Sequence, residues 1–303
     1  MASFSNKNKQ ALNVMKELSR HIKSCGTNRN IKAALTNVAD WAIYTRINGL
    51  KNITKVQAIQ YLMMRSEELQ QSSLDIERQA IELMMIKVTK KLKQNEKLPI
   101  IKSELETIVN CRAYSFEQTI SIASKQKKKN ALATLISVNC GVRAHELFTL
   151  RPISKAILSA RPYRDDLFLG RDSSKYSIYA VTGKGGLIRA VSIDDELVQL
   201  LEELQFEQPI EFTDRDIHYD CYYGVGGGKN WSSSFNQMSN KLCGFSNGAH
   251  GLRHSYAQKR MEQLLEFTHL TFDDRLEIVS QELGHFRPEI TLVYLRANKK
   301  SSL

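Results

Sequence analysis

The sequence predicts a mainly α-helical protein with one small β-hairpin sheet, split into a basic helical domain and a mixed α/β domain behind it. Three observations carry this reading. The first 98 residues contain no proline and only two glycines, Gly26 and Gly49, while apolar residues recur at helical spacing. Prolines first appear at Pro99, and glycines become frequent beyond it. Finally, two runs rich in β-formers flank a glycine-rich turn, Gly183-Lys184-Gly185-Gly186. A chain of 303 residues is long enough for two separate cores.

The elements follow in order. Leu12, Met15, Leu18 and Ile22 mark a first helix, and Leu35, Val38, Ala39, Ala42 and Ile43 a second. Thr54 is placed to cap a third helix running through Val56, Ile59, Tyr61 and Leu62, and Ile76, Ala80, Leu83 and Met84 mark a fourth. These apolar stripes are expected to form the core of a four-helix module over residues 1–97, with its charge on the outer faces. A lysine-rich stretch, Lys87 to Lys97, then leads into an expected interdomain linker at 98–109. In the domain spanning 110–303, strands are expected at 177–182 and 187–193, and helical patterns return at 194–205, 231–243, 249–266 and 274–283.

Lys and Arg number 43 against 32 Asp and Glu, a net charge of +11. The excess is local: residues 1–98 hold 17 basic and 8 acidic residues, net +9, which leaves +2 for the remainder. Such a balance calls for a polyanionic partner, nucleic acid or an anionic membrane surface. No apolar run approaches the roughly 18–20 residues of a membrane span, so nucleic acid is favoured. The N-terminus carries charge with no apolar stretch behind it, and no signal peptide is expected. Five scattered cysteines, never in a C-x-x-C pair, argue against a disulfide framework or zinc ribbon and fit a reducing cytoplasm.

Two tempting motifs fail. Gly224 to Asn230 has the look of a phosphate loop, but Tyr223 stands where the Walker pattern needs Gly, and Asn230 where it needs Ser or Thr. A flexible loop is expected instead. His250 and His254 have metal-binding i, i+4 spacing, but Arg253 lies between them and would repel a cation, so no metal site is expected. A different set coheres. His250-Gly251-Leu252-Arg253-His254 puts His250 and Arg253 three apart on one helical face. Glu282-Leu283-Gly284-His285 ends a helical run, and Tyr294 follows nine residues later. Upstream, Gly141-Val142-Arg143-Ala144-His145-Glu146-Leu147 sets an arginine behind an apolar run, with Glu146 three residues on.

In these residues the chain resembles the catalytic domain of the tyrosine recombinases, the phage-integrase family. The family's Gly-x-Arg-x-x-Glu-Leu box matches 141–147, its His-x-Leu-Arg-His box matches 250–254, and its Leu-Gly-His with a tyrosine nine residues on matches 283–294. The hairpin lysine falls on Lys184. The likeness covers about 110–303, while residues 1–97 resemble the family's helical core-binding domain in size, charge and position. It implies a two-domain DNA clamp and a site-specific recombinase that integrates or excises a mobile element. A resolvase, invertase or transposase with the same chemistry stays open, as does a non-cutting DNA-binding regulator.

The resemblance assigns roles that the chemistry makes sensible. Arg143 and Arg253 would neutralise the non-bridging oxygens of a DNA phosphodiester and the charge that builds on them in the transition state. His285 would donate a further bond to that phosphate, and His250 would take the proton of the tyrosine. Lys184 would protonate the departing 5′-oxygen, and Tyr294 would become a 3′-phosphotyrosyl ester. Glu146 and His254 would support them. No metal, nucleotide or other cofactor is implied. The expected partners are double-stranded recombination sites, three further copies in a tetramer on DNA, and an accessory DNA-bending or directionality protein. Two features depart from the family: a longer stretch between Arg253 and His285, where residues 265–271 are expected to form an inserted loop that touches DNA or a neighbour, and only nine polar residues after Tyr294.

Overall fold

Four helices build the first part of the chain in the computed structural model, which describes residues 6–105 and 111–296. They are α1 (Lys7–Leu18), α2 (Cys25–Tyr44), α3 (Lys55–Ser66) and α4 (Gln71–Lys87). Asn6, Ser24 and Thr54 cap the first three, and Thr54 forms a reciprocal capping box with Gln57. The chain divides into two compact units, Met1–Ile108 and Val109–Leu303.

The first unit's core contains Val14, Leu18, Leu35, Val38, Leu62, Ala80, Ile81 and Met84. Its helices are rotated slightly from the expected stripes. Leu12, Val56 and Ile76 are exposed, and α4 instead buries Leu74, Glu77, Ala80, Ile81 and Met84. Glu77 can go inside because Tyr61 Oη (2.8 Å), Asn37 Nδ2 (2.9 Å) and Arg65 Nε (3.2 Å) all donate to it. The expected linker begins later than residue 98. Leu92 and Leu98 are buried in this core, Gln71 holds the backbone of Ile101 and Ser103, and Glu104 N donates to Ser66 O at 2.9 Å. Backbone groups satisfied in this way tie the segment through Leu105 to α3 and α4; residues 106–109 lie outside the described residues.

The second unit opens with α5 (Phe116–Ser124) and α6 (Lys128–Cys140). A three-stranded antiparallel sheet follows, in the order β1 (Arg151–Pro152), β2 (Tyr176–Thr182), β3 (Ile188–Asp194). The β2–β3 hairpin lies where expected, with Tyr179 opposite Val191 and Val181 opposite Arg189. Beyond it come α7 (Asp195–Glu202), then β4 (Gln205–Asp214) and β5 (Ile217–Tyr223), a separate antiparallel pair. This pair is not legible in the sequence: β4 contains Pro209 and is exposed along nearly its whole length, so it shows little of the alternation that marks a half-buried strand. The chain continues through α8 (Gly228–Cys243), α9 (Gly251–Gln263), α10 (Phe272–Glu282) and α11 (Pro288–Thr291) to a 3₁₀ turn at Leu292–Leu295. One apolar cluster joins Ile136, Leu147, Val181, Ile193, Trp231 and Phe235; another joins Tyr256, Ala257, Ile278, Val279, Leu283 and Tyr294.

One loop expectation changes. The glycine run before α8 is packed rather than free: a Cβ at Gly227 would lie 2.8 Å from the Phe148 ring, and Gly226 N donates to Lys129 O at 3.0 Å. The stretch 265–271 is anchored to its own unit at two positions and otherwise exposed, Leu265 among the exposed residues. Leu264 is buried, Phe267 and Leu270 pack beside the Tyr294 cluster, and a Cβ on Gly170 would lie 3.0 Å from the Phe267 ring. No helix among the described residues is long and apolar enough to cross a membrane.

Candidate active site

Three glycine-dependent turns bring the candidate residues together. Gly141 ends α6 in a left-handed conformation (φ +63°), and a Cβ there would lie 2.6 Å from Tyr256 and 2.8 Å from Leu283. The end of α6 can therefore abut α9 and α10, and the chain that turns away from it carries Arg143 and Glu146. At the start of α9, Gly251 sits against Arg112 O and the Tyr114 ring, which places His250 at the helix entrance and Arg253 inside the first turn. Gly284 (φ +74°) ends α10, and His285 follows, fixed by His285 N to Ser280 O at 2.8 Å and Ser280 Oγ to His285 O at 3.0 Å. Tyr294 arrives on the 3₁₀ turn after α11, whose first residue is Pro288.

Arg143 donates from Nη1 to Glu146 Oε1 at 2.6 Å and from Nη2 to His285 Nε2 at 3.0 Å. Arg253, 0% exposed, donates to Gly141 O, to Leu283 O at 3.0 Å and toward His285 Nε2 at 3.4 Å. Two guanidiniums from distant parts of the chain thus converge on one acceptor atom. Guanidinium groups only donate, so His285 Nε2 accepts and its ring proton lies on Nδ1, 3.3 Å from Thr291 Oγ1. Burial, with Arg253 and Arg143 beside it, holds the His285 imidazole down to about 3. His250 is held down to about 4 by burial and then by Arg253, and His254 to about 4 by burial and then by Arg112. All three rings are neutral at physiological pH.

Tyr294 is 7% exposed and lies inside this ring of groups. Its ring centroid is 4.6 Å from that of His254, 5.5 Å from those of His250 and His285, and 5.6 Å from Arg253 Cζ. Gln258 Nε2, on α9, donates to Tyr294 O at 3.0 Å and steadies the turn from behind. Lys184 stands apart, exposed on the β2–β3 turn. Its neighbour Gly183 is close in, however: a Cβ there would lie 2.9 Å from Glu146 Oε1 and 3.8 Å from Arg143 Nη1. Of the sequence-predicted residues, Arg143, Glu146, His250, Arg253, His254, His285 and Tyr294 are therefore gathered at one place, with Lys184 on a turn that borders it.

Glu146 is 0% exposed. Burial pushes its carboxyl up, but Arg189, Arg253 and Arg143 outweigh this and hold it well below the usual carboxylate range. Arg189 was missed in the sequence. It donates from Nη2 to Glu146 Oε2 at 2.8 Å and from Nη1 to Glu282 O at 2.7 Å. A signal was present: Arg189, Val191 and Ile193 share one face of β3, and a lone arginine in an inward register demands a buried partner. Among the described residues, no group of three or more His, Cys, Asp or Glu side chains is arranged to hold a metal ion.

No family profile and no curated protein matches the sequence. Solved structures do match in fold. XerH site-specific recombinase bound to palindromic difH substrate is 18% identical, with a TM-score of 0.58 over 98% of this chain and 88% of its own. A λ integrase dimer bound to a COC′ core site is 14% identical, with a TM-score of 0.60 over 96% of this chain and 77% of its own. The Tn1549 transposon integrase in complex with transposon right-end DNA is 12% identical, with a TM-score of 0.55 over 98% of this chain and 96% of its own. The chain has the mostly helical fold, with small antiparallel sheets, of the tyrosine recombinases.

Proposed function

We propose that this chain is a site-specific DNA recombinase that cuts and rejoins DNA through a 3′-phosphotyrosyl intermediate. The observation that carries the reading is the convergence of Arg143 and Arg253 on a single acceptor position, His285 Nε2, beside the Tyr294 ring. A non-bridging phosphate oxygen taking that acceptor position would receive two charge-assisted bonds from groups already in place. Released from the arginines, His285 would shift its ring proton from Nδ1 to Nε2 and so turn from acceptor to donor on the same phosphate.

The phenolic oxygen of Tyr294 would then attack phosphorus as its proton passes to neutral His250, and the bond from phosphorus to the 5′-oxygen would break. Lys184 would supply the proton that the departing 5′-oxygen needs. The phosphotyrosyl ester retains the energy of the broken bond, so a 5′-hydroxyl from a partner strand can displace the tyrosine without metal or nucleotide. Glu146 would orient Arg143, and His254 would pack the tyrosine.

The partners of this reading are double-stranded recombination sites, further copies of the chain in a tetramer on DNA, and an accessory DNA-bending or directionality protein. The biological role would be integration and excision of a mobile element. The similar structures named above, a recombinase and two integrases each bound to DNA, support it. The basic first unit would supply much of the grip on phosphate; with about 6–10 neutralised phosphates, affinity falls steeply with salt. The test is a nicked duplex carrying the candidate site, which traps the covalent stage. The expected result is a protein–DNA adduct that maps to Tyr294 and is absent from Tyr294→Phe. Tight site binding with no adduct in the intact protein would favour a non-cutting DNA-binding role.

A further inference from the structure

We infer that Arg189 is a positioning residue whose guanidinium neutralises Glu146, so that Arg143 and Arg253 remain turned toward the phosphate. The inference rests on the strand-transfer reading above. Glu146 lies among three guanidiniums. Its Oε1 takes Arg143 Nη1 at 2.6 Å; its Oε2 takes Arg189 Nη2 and Arg143 N, both at 2.8 Å, and lies 3.9 Å from Arg253 Nη1. Arg189 is 1% exposed, and neither of its bonded nitrogens reaches toward His285 or Tyr294: one goes to Glu146 and the other to Glu282 O. Its charge is therefore committed to the carboxylate.

Removing Arg189 would leave Glu146 with only Arg143 and Arg253 as counter-charges. The carboxylate would draw both closer and compete with the phosphate for them. The four groups together carry three positive charges and one negative, a surplus of +2 set against a transition state whose phosphoryl oxygens bear two negative charges. Arg189 also ties parts of the site together. It sits in β3, five residues after Lys184, and its second bond reaches the carbonyl of the residue that ends α10, just before Gly284 and His285. The absence of a side chain on Gly284 makes room for this, because a Cβ there would lie 2.7 Å from Arg189 Cδ and 2.8 Å from Arg189 Nε. One arginine thus joins the hairpin, the Arg143–Glu146 turn and the approach to His285.

The test compares Arg189→Met, Arg189→Lys and the double variant Arg189→Met/Glu146→Gln in the full chain. Adduct formation is followed in single turnover on the nicked duplex, with either a normal scissile phosphate or an uncharged methylphosphonate. On the phosphate, Arg189→Met is expected to lose about 100-fold in rate, the scale of losing one preorganised donor, with DNA affinity little changed. Arg189→Lys keeps the counter-charge and is expected to lose less than about 10-fold, which also covers the case in which the Met variant fails to fold. The double variant recovers part of the rate, since the carboxylate that would capture the arginines has gone while the glutamine carbonyl can still accept from Arg143.

On the methylphosphonate, which has no negative oxygen to compete for the arginines, the Arg189→Met loss is expected to shrink below about 10-fold. Equal losses on both substrates, or no recovery in the double variant, would make Arg189 merely structural and overturn the inference. An unmodified protein that forms no adduct at all would instead remove the strand-transfer reading itself.

Discussion

Replacing Glu146 by Gln takes one negative charge from a place where two fully enclosed guanidiniums depend on it. Arg189 and Arg253 are 1% and 0% exposed, and the Arg189–Glu146 contact is 2.8 Å. Glutamine keeps the size and one acceptor, but turns an amide donor toward groups that also only donate. Glu282, the other buried carboxylate among the described residues of the second unit, is already taken by Arg260 at 2.8 Å and by Tyr256 Oη at 2.7 Å. Breaking a buried pair from one side costs about 3–5 kcal/mol, because the remaining charge stays buried without a partner. In a domain of about 200 residues, each kcal/mol moves Tm by about 2–4 °C, so a fall of about 6–20 °C is expected.

The measurement is thermal unfolding followed by the fluorescence of Trp231, in a Trp41→Phe background that silences the first unit. The pH dependence has a definite sign. The folded carboxyl is held below its ordinary value of 4.5 by the three arginines, against the opposing effect of burial. Its contribution is complete above that unfolded value and is lost as pH falls toward the folded one. The gap between the two proteins should therefore be flat from about pH 5 to pH 8 and close below about pH 4.5. Salt at molar concentration should change it little, since the pair is enclosed. A Tm within about 2 °C of the unmodified protein at pH 7 would refute the reasoning, because the arginines would then be balanced by something other than Glu146.

Further outcomes follow from the same geometry. Lys184→Ala should slow adduct formation by about 10²–10⁴-fold on a normal phosphodiester and recover on a 5′-bridging phosphorothiolate, whose sulfur leaves without a proton; a loss that is not recovered would show that Lys184 is not the acid. His250 and His285 are held down to about 4 and 3, by burial and then by Arg253, from an ordinary 6.5. Between 6.5 and those values the unfolded chain binds more protons, so stability should fall as pH drops through this window and be insensitive above it. Urea midpoints of the unmodified protein and of His285→Asn measure this, the variant showing the shallower slope; identical slopes would mean that His285 titrates normally. Gly284→Ala should cost about 2–5 kcal/mol, combining a left-handed backbone with a Cβ placed on Arg189. Gly284→Asn, which tolerates the backbone better, should remain destabilised because the collision persists, and its recovery in a urea melt would rule the collision out.

Much of the site was legible because its chemistry sits in short, ordered boxes. Arg143, His250, Arg253, His285 and Tyr294 could be singled out from residue type and spacing, and they are gathered at one place. The β2–β3 hairpin was legible as well, since alternation and a glycine turn are local properties. Arg189 was harder to see. Its importance comes from Glu146, which lies 43 residues away in the chain, and from Glu282, which lies 93 away. The anchoring of residues 265–271 is hidden for a similar reason: Phe267 packs beside Gly170, on a distant loop.

By itself, then, the sequence determined the four helices of the first unit, the β2–β3 hairpin, the concentration of positive charge in the first 98 residues, and the candidate groups for meeting a phosphate. These depend on periodicity, composition and side-chain chemistry, all of which can be read along one dimension. Only the tertiary structure decided which arginine faces the site and which is committed to a carboxylate, and which nitrogen of His285 carries the proton. Those outcomes depend on burial and on partners brought together from remote positions, where a charge left without its counterpart is too costly to keep.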